Sequence, residues 1–305
     1  MPWLPDAWLR DAHPPLRMVM FTIGANPWIW EAPITSDTVT RLAPKLAAWG
    51  FGAIELPVEN VGDWEPGAVR DTLAGHGLPV AAVIAVTSPG RELVAADAET
   101  VAHTQGYVRA CIDLAVAVGA PSVCGPLYAS VGRTWRMTGD ERAQVYRQLR
   151  EHLAPLAAYA GQRGISLGLE ALNRYETSVL NTVGQTLDAV DGLPDNVGIM
   201  LDSYHMNIEE ADPYAAITQA GPRLVHVQAS GSHRGAPGDD HLDWKRWMTT
   251  LAGTGYRKAV CLESFTGDNE AIAVAAAIWR PLAASQDDLA RDGLAHLRSV
   301  LPAAA

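Results

Sequence analysis

The sequence is poor in cysteine and in long apolar runs. Its 305 residues include three cysteines, Cys111, Cys124 and Cys261, which lie in apolar segments. They lack the close spacing of a zinc ribbon or of a secreted disulfide framework, so we interpret them as buried free thiols in a reducing compartment. No segment reaches the roughly 18 consecutive apolar residues of a membrane span.

Positive charge is also scarce. The 34 Asp and Glu residues outnumber the 23 Lys and Arg residues, for a formal charge of −11. Nucleic-acid and anionic-membrane surfaces need clustered positive charge, so the sequence argues against both partners. The start, MPWLPDAWLRDAHPPLR, has acids and prolines where a signal peptide needs a basic start and an apolar run. We expect a cytoplasmic protein that acts on a small neutral or metal-bound molecule.

The chain does contain a regular alternation of apolar strands and amphipathic helices, and eight strand–helix pairs can be counted. This alternation is typical of a parallel sheet covered by helices. Eight such units in about 250 residues predict a closed (β/α)₈ TIM barrel of the α/β class, with residues 1–305 as a single domain. Residues 1–16 are predicted to be an N-terminal extension, and residues 269–305 to contain closing helices.

Three carboxylates follow apolar runs at the ends of predicted strands. Glu170 ends ISLGLE, Asp202 ends NVGIMLD and Glu263 ends KAVCLE. A buried, unpaired carboxylate is costly, so each needs a positive partner. Because the carboxyl ends of barrel strands share one face, the three can converge on one cation. The alternative for each acid is an ordinary buried salt bridge.

A fourth ligand is expected from the segment RLVHVQAS, where His226 and Gln228 are the two candidates. Side chains alternate along a strand, so both point the same way but lie one layer apart. Gln228 is level with the acids and is the better candidate, whereas His226 is expected in the layer beneath. An oxygen-rich set favours Mn²⁺, with Mg²⁺ or Co²⁺ as alternatives.

Five segments are specific in their residue order: LEALNRYET, LDSYHMNIEE, RGAPGDDHLDW, LESF and IWRPLA. Together they resemble the D-tagatose and D-psicose (allulose) 3-epimerase family of xylose isomerase-like barrels, over nearly the whole chain. The resemblance implies a metal-dependent isomerase of ketoses of the D-tagatose, D-psicose or L-ribulose type, and a homo-oligomer.

The resemblance also implies roles for individual residues. Glu170, Asp202 and Glu263 match the family's metal-binding acids, and Glu170 and Glu263 match its two acid/base residues. In that mechanism one glutamate removes the proton beside the ketone, a cis-enediolate forms, and the second glutamate returns a proton on the opposite face. A divalent ion and two opposed carboxylates suit such an inversion.

Further positions match groups that orient the catalytic glutamate and hold substrate hydroxyls: Glu176, His205 and Arg234. The sequence departs from the family at two positions, with Gln228 in place of a histidine and Gly231 in place of a glutamate. An amide oxygen is a poorer ligand than imidazole, so we expect a less tightly bound ion. The loss of the acid at position 231 is expected to free space beside the substrate.

The chain also resembles the large catalytic subunits of C-glycoside deglycosidases, which look like members of the same barrel superfamily. This resemblance implies a second candidate function, cleavage of 3-oxo-glycosides with a small partner subunit. An aromatic aglycone would need apolar walls. Predicted loops offer four aromatic residues, which could also line a ketose pocket: Trp28, Trp30, Tyr128 and Trp135.

Two other classes are disfavoured. A nuclease resembling endonuclease IV would need several histidines and a basic groove. A non-catalytic sugar-binding module needs no pair of acids flanking a metal.

Overall fold

A parallel barrel forms the centre of the molecule. The computed structural model describes residues 21–302. Every strand pairs in parallel with its neighbours in sequence, and β8 pairs with β1 to close the sheet. The strands are β1 Thr22–Ala25, β2 Ala53–Val58, β3 Val80–Ala85, β4 Ser122–Gly125, β5 Ser166–Glu170, β6 Val197–Asp202, β7 Leu224–Ala229 and β8 Ala259–Leu262.

Ten α-helices are present among residues 21–302, besides two short 3₁₀ helices. They are α1 Ser36–Trp49, α2 Pro66–Gly75, α3 Ala98–Val118, α4 Gly139–Gly161, α5 Val183–Val190, α6 Ser203–Glu209, α7 Pro213–Ala220, α8 Trp244–Gly253, α9 Glu270–Ala275 and α10 Gln286–Ser299. The predicted (β/α)₈ barrel is therefore confirmed. None of the helices in this part of the chain is both long enough and apolar enough to span a membrane.

The end of β6 is fixed by the start of a helix. β6 ends at Asp202 and α6 begins at Ser203. Asp202 caps this helix, since its side chain accepts a hydrogen bond from the Tyr204 N–H at 2.9 Å. A carboxylate at a helix start satisfies a free N–H group and so ends the strand there. The predicted extension, residues 1–16, lies outside the described residues.

Residue layers inside the barrel follow from the strand register. Asp202 is the register partner of Gln228, and Met200 that of His226. Gln228 therefore lies at the level of Asp202, and His226 one layer below. The interior is tightly packed: a Cβ atom on Gly24 would lie 2.5 Å from the Cys261 sulfur. Any larger residue at this position in β1 would force the Cys261 side chain to move.

Candidate active site at the carboxyl ends of the strands

Three carboxylates meet where the sequence predicted. Glu170 is the last residue of β5, Asp202 the last of β6, and Glu263 follows β8 directly. All three are buried, with at most 6% of their surface exposed. Each directly follows a wholly buried stretch of strand, and parallel pairing brings these ends to the same face of the barrel.

Arg234 links the acids. Its Nη1 lies 2.6 Å from Asp202 Oδ2 and 2.8 Å from Glu263 Oε2. Burial alone would lower the pKa of this guanidinium, but the surrounding carboxylates outweigh that effect and raise it. Arg234 is therefore a permanent positive charge within the cluster.

The turn that carries Arg234 is unusually tight. Arg234 has a φ of 69°, which non-glycine residues seldom adopt. Its N–H donates to Gly231 O at 2.8 Å, and Ser264 Oγ donates to Arg234 O at 2.6 Å. A Cβ atom on Gly231 would lie 2.7 Å from Gly235 O. The expectation that Gly231 frees space is thus wrong, because the loop's own backbone fills it.

His205 lies against two of the acids. Its Nε2 is 3.6 Å from both Glu170 Oε1 and Asp202 Oδ2. Its Nδ1 accepts a hydrogen bond from the Asn173 N–H at 3.1 Å. Burial first, and then nearby Arg234, keep the pKa of His205 well below its usual range, so the ring is neutral. Arg234 Nη2, which can only donate, lies 3.1 Å from His205 Nε2.

The pKa values of the three acids are raised above their usual range. Burial is the largest cause in each case, and it raises the pKa of Glu170, Asp202 and Glu263. Glu263 and Asp202 raise the pKa of Glu170 further by repulsion. A positive charge in addition to Arg234 would therefore favour the ionised form of all three acids.

Gln228 and His226, the alternative fourth ligands, have different surroundings. His226 Nε2 pairs with the Glu55 carboxylate. Gln228 Nε2 donates to the same carboxylate at 2.9 Å. Gln228 Oε1 is buried and has no hydrogen-bond partner among residues 21–302. An unpartnered oxygen level with Asp202 is suited to a divalent ion, so the donor set fits a hard metal.

His205 adds a further donor to this set. Ligand atoms of Glu170, Asp202 and His205 lie within 4.8 Å of one another, close enough to hold one ion. The resemblance implied that His205 orients the catalytic glutamate or holds substrate hydroxyls, and its position beside both acids also suits a metal ligand.

Glu176 lies at the edge of this cluster. Its Oε1 accepts from Asn173 Nδ2 at 2.7 Å, and Asn173 in turn contacts His205. Burial raises the pKa of Glu176, which Arg234 partly offsets. Glu176 thus connects to the site through Asn173 and His205, and its charge interacts with Arg234.

The aromatic residues predicted to line the pocket have different surroundings in the structure. Trp28 stacks on Phe265 with ring centroids 5.5 Å apart, and Phe265 in turn faces the Arg234 guanidinium. Tyr128 is fully buried, and its hydroxyl donates to Glu170 O at 2.9 Å. It therefore supports the end of β5 from behind. Trp30 instead packs on Trp49 of α1, and its N–H donates to an aspartate of α10.

A cavity of ≈ 210 Å³ opens beside the cluster. Part of its wall comes from the segment after α9, which contains the IWRPLA motif. Its lining residues are Tyr204, His233, Arg234, Ala276, Ala277, Ile278, Trp279, Arg280 and Leu282.

Sequence reasoning missed two buried residues of the site region, Glu55 and Asn26. Asn26 Nδ2 lies 2.8 Å from Glu55 Oε2 and 3.4 Å from Glu263 Oε1. Glu55 could have been found from the sequence, because it is an acid inside the apolar strand AIELPV. Asn26 was harder to find, because a single amide just after a short strand is a weak indication of a functional residue.

Comparisons with known proteins identify the family of this barrel. The family described as "Xylose isomerase-like TIM barrel" matches residues 43–300. The L-ribulose 3-epimerase of Mesorhizobium japonicum is 31% identical, covering 91% of this chain and 93% of its own length. The ketose 3-epimerase of Arthrobacter globiformis is 29% identical, covering 92% and 97%. The crystal structure of a Methylomonas D-allulose 3-epimerase in complex with D-allulose has a TM-score of 0.82 at 26% identity, covering 92% and 97%.

Proposed function

We propose, from the premise that the chain belongs to the xylose isomerase-like TIM barrel family, that it is a metal-dependent ketose 3-epimerase. This makes it an isomerase that inverts one carbon beside the carbonyl of a free keto-sugar. The relatives named as ketose and L-ribulose 3-epimerases align over nearly their whole length, which supports the same reaction here.

One observation carries the proposal. Glu170 and Glu263 come from β5 and β8, three steps apart around an eight-stranded barrel. Both nevertheless reach the centre formed by Asp202 and Arg234. Two carboxylates that approach one small site from nearly opposite sides suit a reaction that removes a proton from one face and returns it to the other.

We assign the metal to Glu170, Asp202, Gln228 and Glu263. Mn²⁺ is the preferred ion, with Mg²⁺ or Co²⁺ as alternatives, because all four donors are oxygens. When bound, a divalent ion supplies a Lewis acid beside the carbonyl and stabilises negative charge on oxygen.

The side chains divide the remaining work. One of the pair Glu170 and Glu263 takes the proton from the carbon next to the carbonyl, and the other donates a proton to the opposite face of the enediolate. Arg234 and His205 contact substrate oxygens, with Arg234 as a hydrogen-bond donor. Glu176 orients this arrangement through Asn173. Trp28, behind Phe265, contributes an apolar wall.

The alternative, cleavage of 3-oxo-C-glycosides, has less support. Trp30 contacts α1 and α10, and Tyr128 is wholly buried, so two of the four aromatic residues proposed as walls are engaged elsewhere.

Within this proposal we expect a cytoplasmic homo-oligomer.

Proton exchange in D₂O tests the proposed function. We expect the purified protein with Mn²⁺ to place deuterium at carbon 3 of a ketohexose while it interconverts fructose with psicose, or tagatose with sorbose, as followed by NMR. The same assay includes a 3-oxo-C-glycoside. Release of its free phenolic aglycone, without epimerisation of any ketose, would establish the alternative instead.

Substitution of Gln228 by histidine should strengthen metal binding. A histidine here could donate one ring N–H to Glu55 and offer the other nitrogen to the ion, so we expect the Mn²⁺ Kd to fall by about ten- to a hundredfold. Isothermal titration calorimetry measures the Kd. The control is Gln219→His, which adds an exposed histidine on α7. An unchanged Kd and unchanged metal content after chelator dialysis would count against Gln228 as a ligand.

A further inference from the structure

Glu55 is a buried charged residue to which the proposed reaction assigns no role. It lies on β2, has no exposed surface, and projects into the barrel interior beneath the carboxylate cluster. Its partners come from β7 and from the loop after β1, so they are brought together only by closure of the barrel. A buried carboxylate is retained at a cost in solvation and needs several hydrogen bonds to offset it.

Both carboxylate oxygens of Glu55 are occupied. Oε1 is paired with His226 Nε2, and Oε2 accepts from Gln228 Nε2 at 2.9 Å and from Asn26 Nδ2 at 2.8 Å. Cys261 Sγ is also near, and the donor atoms of Glu55, His226 and Cys261 lie within 4.8 Å of one another. The oxygens already have partners, however, so this layer is satisfied as a hydrogen-bond network without an ion.

The direction of these hydrogen bonds follows from chemistry. Glu55 Oε2 accepts from Asn26 Nδ2 at 2.8 Å and from Gln228 Nε2 at 2.9 Å, so the NH₂ end of the Gln228 amide faces Glu55. The Gln228 oxygen is then forced to the opposite side. There it is buried and has no partner in the described part of the chain, at the level of Asp202. A glutamine without this anchor could present either end of its amide.

Asn26 connects Glu55 to a second residue of the site, Glu263. Its Oδ1 accepts from the Trp28 N–H at 2.9 Å, which directs its NH₂ group toward Glu55 and Glu263. The contact with Glu263 Oε1 is longer, at 3.4 Å. Glu55 thus acts directly on Gln228 and, through Asn26, more weakly on Glu263.

We propose that Glu55 is a positioning residue of the metal centre, which orients the Gln228 amide so that its oxygen faces the ion. Glu55 does not touch substrate or ion in this role. Metal-binding histidines are held by carboxylates in a comparable way, and the loss of such a partner typically weakens metal binding. This inference rests on the proposed function, since it takes Gln228 as a ligand.

The role of Glu55 can be tested by measuring the Kd of the folded protein for Mn²⁺, which does not depend on activity. In Glu55→Gln, which keeps size and shape, Gln228 can reverse its amide, so we expect the Mn²⁺ Kd to rise by about ten- to a hundredfold. Free Mn²⁺ is measured from its EPR signal during titration. The control, Glu92→Gln, removes another buried carboxylate, one that pairs with Arg133 and Ser130, and should leave the Kd unchanged.

Two further variants distinguish a positioning role of Glu55 from a purely structural one. In a Gln228→Met background, Glu55→Gln should cause no further large loss of Mn²⁺ affinity, because the two residues act as one unit. If Glu55→Gln does not fold, Glu55→Asp takes its place, with an expected smaller rise in Kd.

A folded Glu55 variant that is less heat-stable but binds Mn²⁺ with the wild-type Kd would overturn the inference. Failure of the wild-type protein itself to bind Mn²⁺ would instead overturn the proposed metal centre, and the inference with it.

Discussion

Glu263→Gln is expected to reduce epimerisation by on the order of 10²–10⁴-fold, the usual contribution of a general acid or base. The amide oxygen of glutamine can still accept from Arg234 Nη1, so the ion pair becomes a hydrogen bond and the fold is kept. What is lost is the ability to take up or return a proton. The rate is measured as deuterium incorporation at carbon 3 of the ketose.

This substitution also removes a negative charge from the metal site, so it will weaken ion binding as well. Rates are therefore compared at saturating Mn²⁺, where only the loss of proton transfer remains. Glu92→Gln is again the control, since it removes a buried carboxylate that contacts Ser130 and Arg133 instead of the carboxylate cluster. If Glu263→Gln keeps more than about a tenth of the wild-type rate under these conditions, Glu263 is not an acid/base residue of the reaction.

Removal of the metal is expected to abolish activity, with a loss of roughly 10³-fold or more, because a Lewis acid beside the carbonyl contributes several kcal/mol to the barrier. It should also destabilise the protein. An ion present at 100 times its Kd stabilises the folded state by about 2.7 kcal/mol, so dialysis against a chelator should lower the Tm by several degrees. Both effects should reverse when Mn²⁺ is restored.

The physical reason lies in the charge balance of the site. Glu170, Asp202 and Glu263 are buried together, and Arg234 is the positive group that contacts two of them. Asp202→Asn serves as the comparison because it removes one ligand charge, and its Tm should respond to Mn²⁺ much less. Undiminished activity in protein shown by elemental analysis to be free of metal would refute the proposed metal centre.

The sequence alone determined the parts of this protein that depend on local pattern. The alternation of apolar runs and helices predicted eight strands in a parallel barrel, and the barrel is present. The acids Glu170, Asp202 and Glu263 were predictable because each directly follows an apolar run, where a carboxylate is costly unless it has a partner. Barrel geometry then required their strand ends to share a face.

Only the tertiary structure decided which side chains meet across the barrel. Glu55 and His226 are 171 residues apart in sequence, and their contact exists because strands β2 and β7 both face the same closed interior. Likewise, the sequence placed Trp30 and Tyr128 in loops beside the pocket, whereas folding directs Trp30 toward α10 and the Tyr128 hydroxyl to the Glu170 backbone.

The turn at Gly231 shows the same division. The sequence shows that position 231 is a glycine. Whether the space that a glutamate side chain would occupy is open depends on the path of the following backbone. The carbonyl groups of Gly235 and Ala236 fold back over Gly231 and would clash with any Cβ atom. Hydrophobic periodicity is a local property that the sequence reveals, whereas close packing and hydrogen-bond direction depend on residues that only the closed barrel brings into contact.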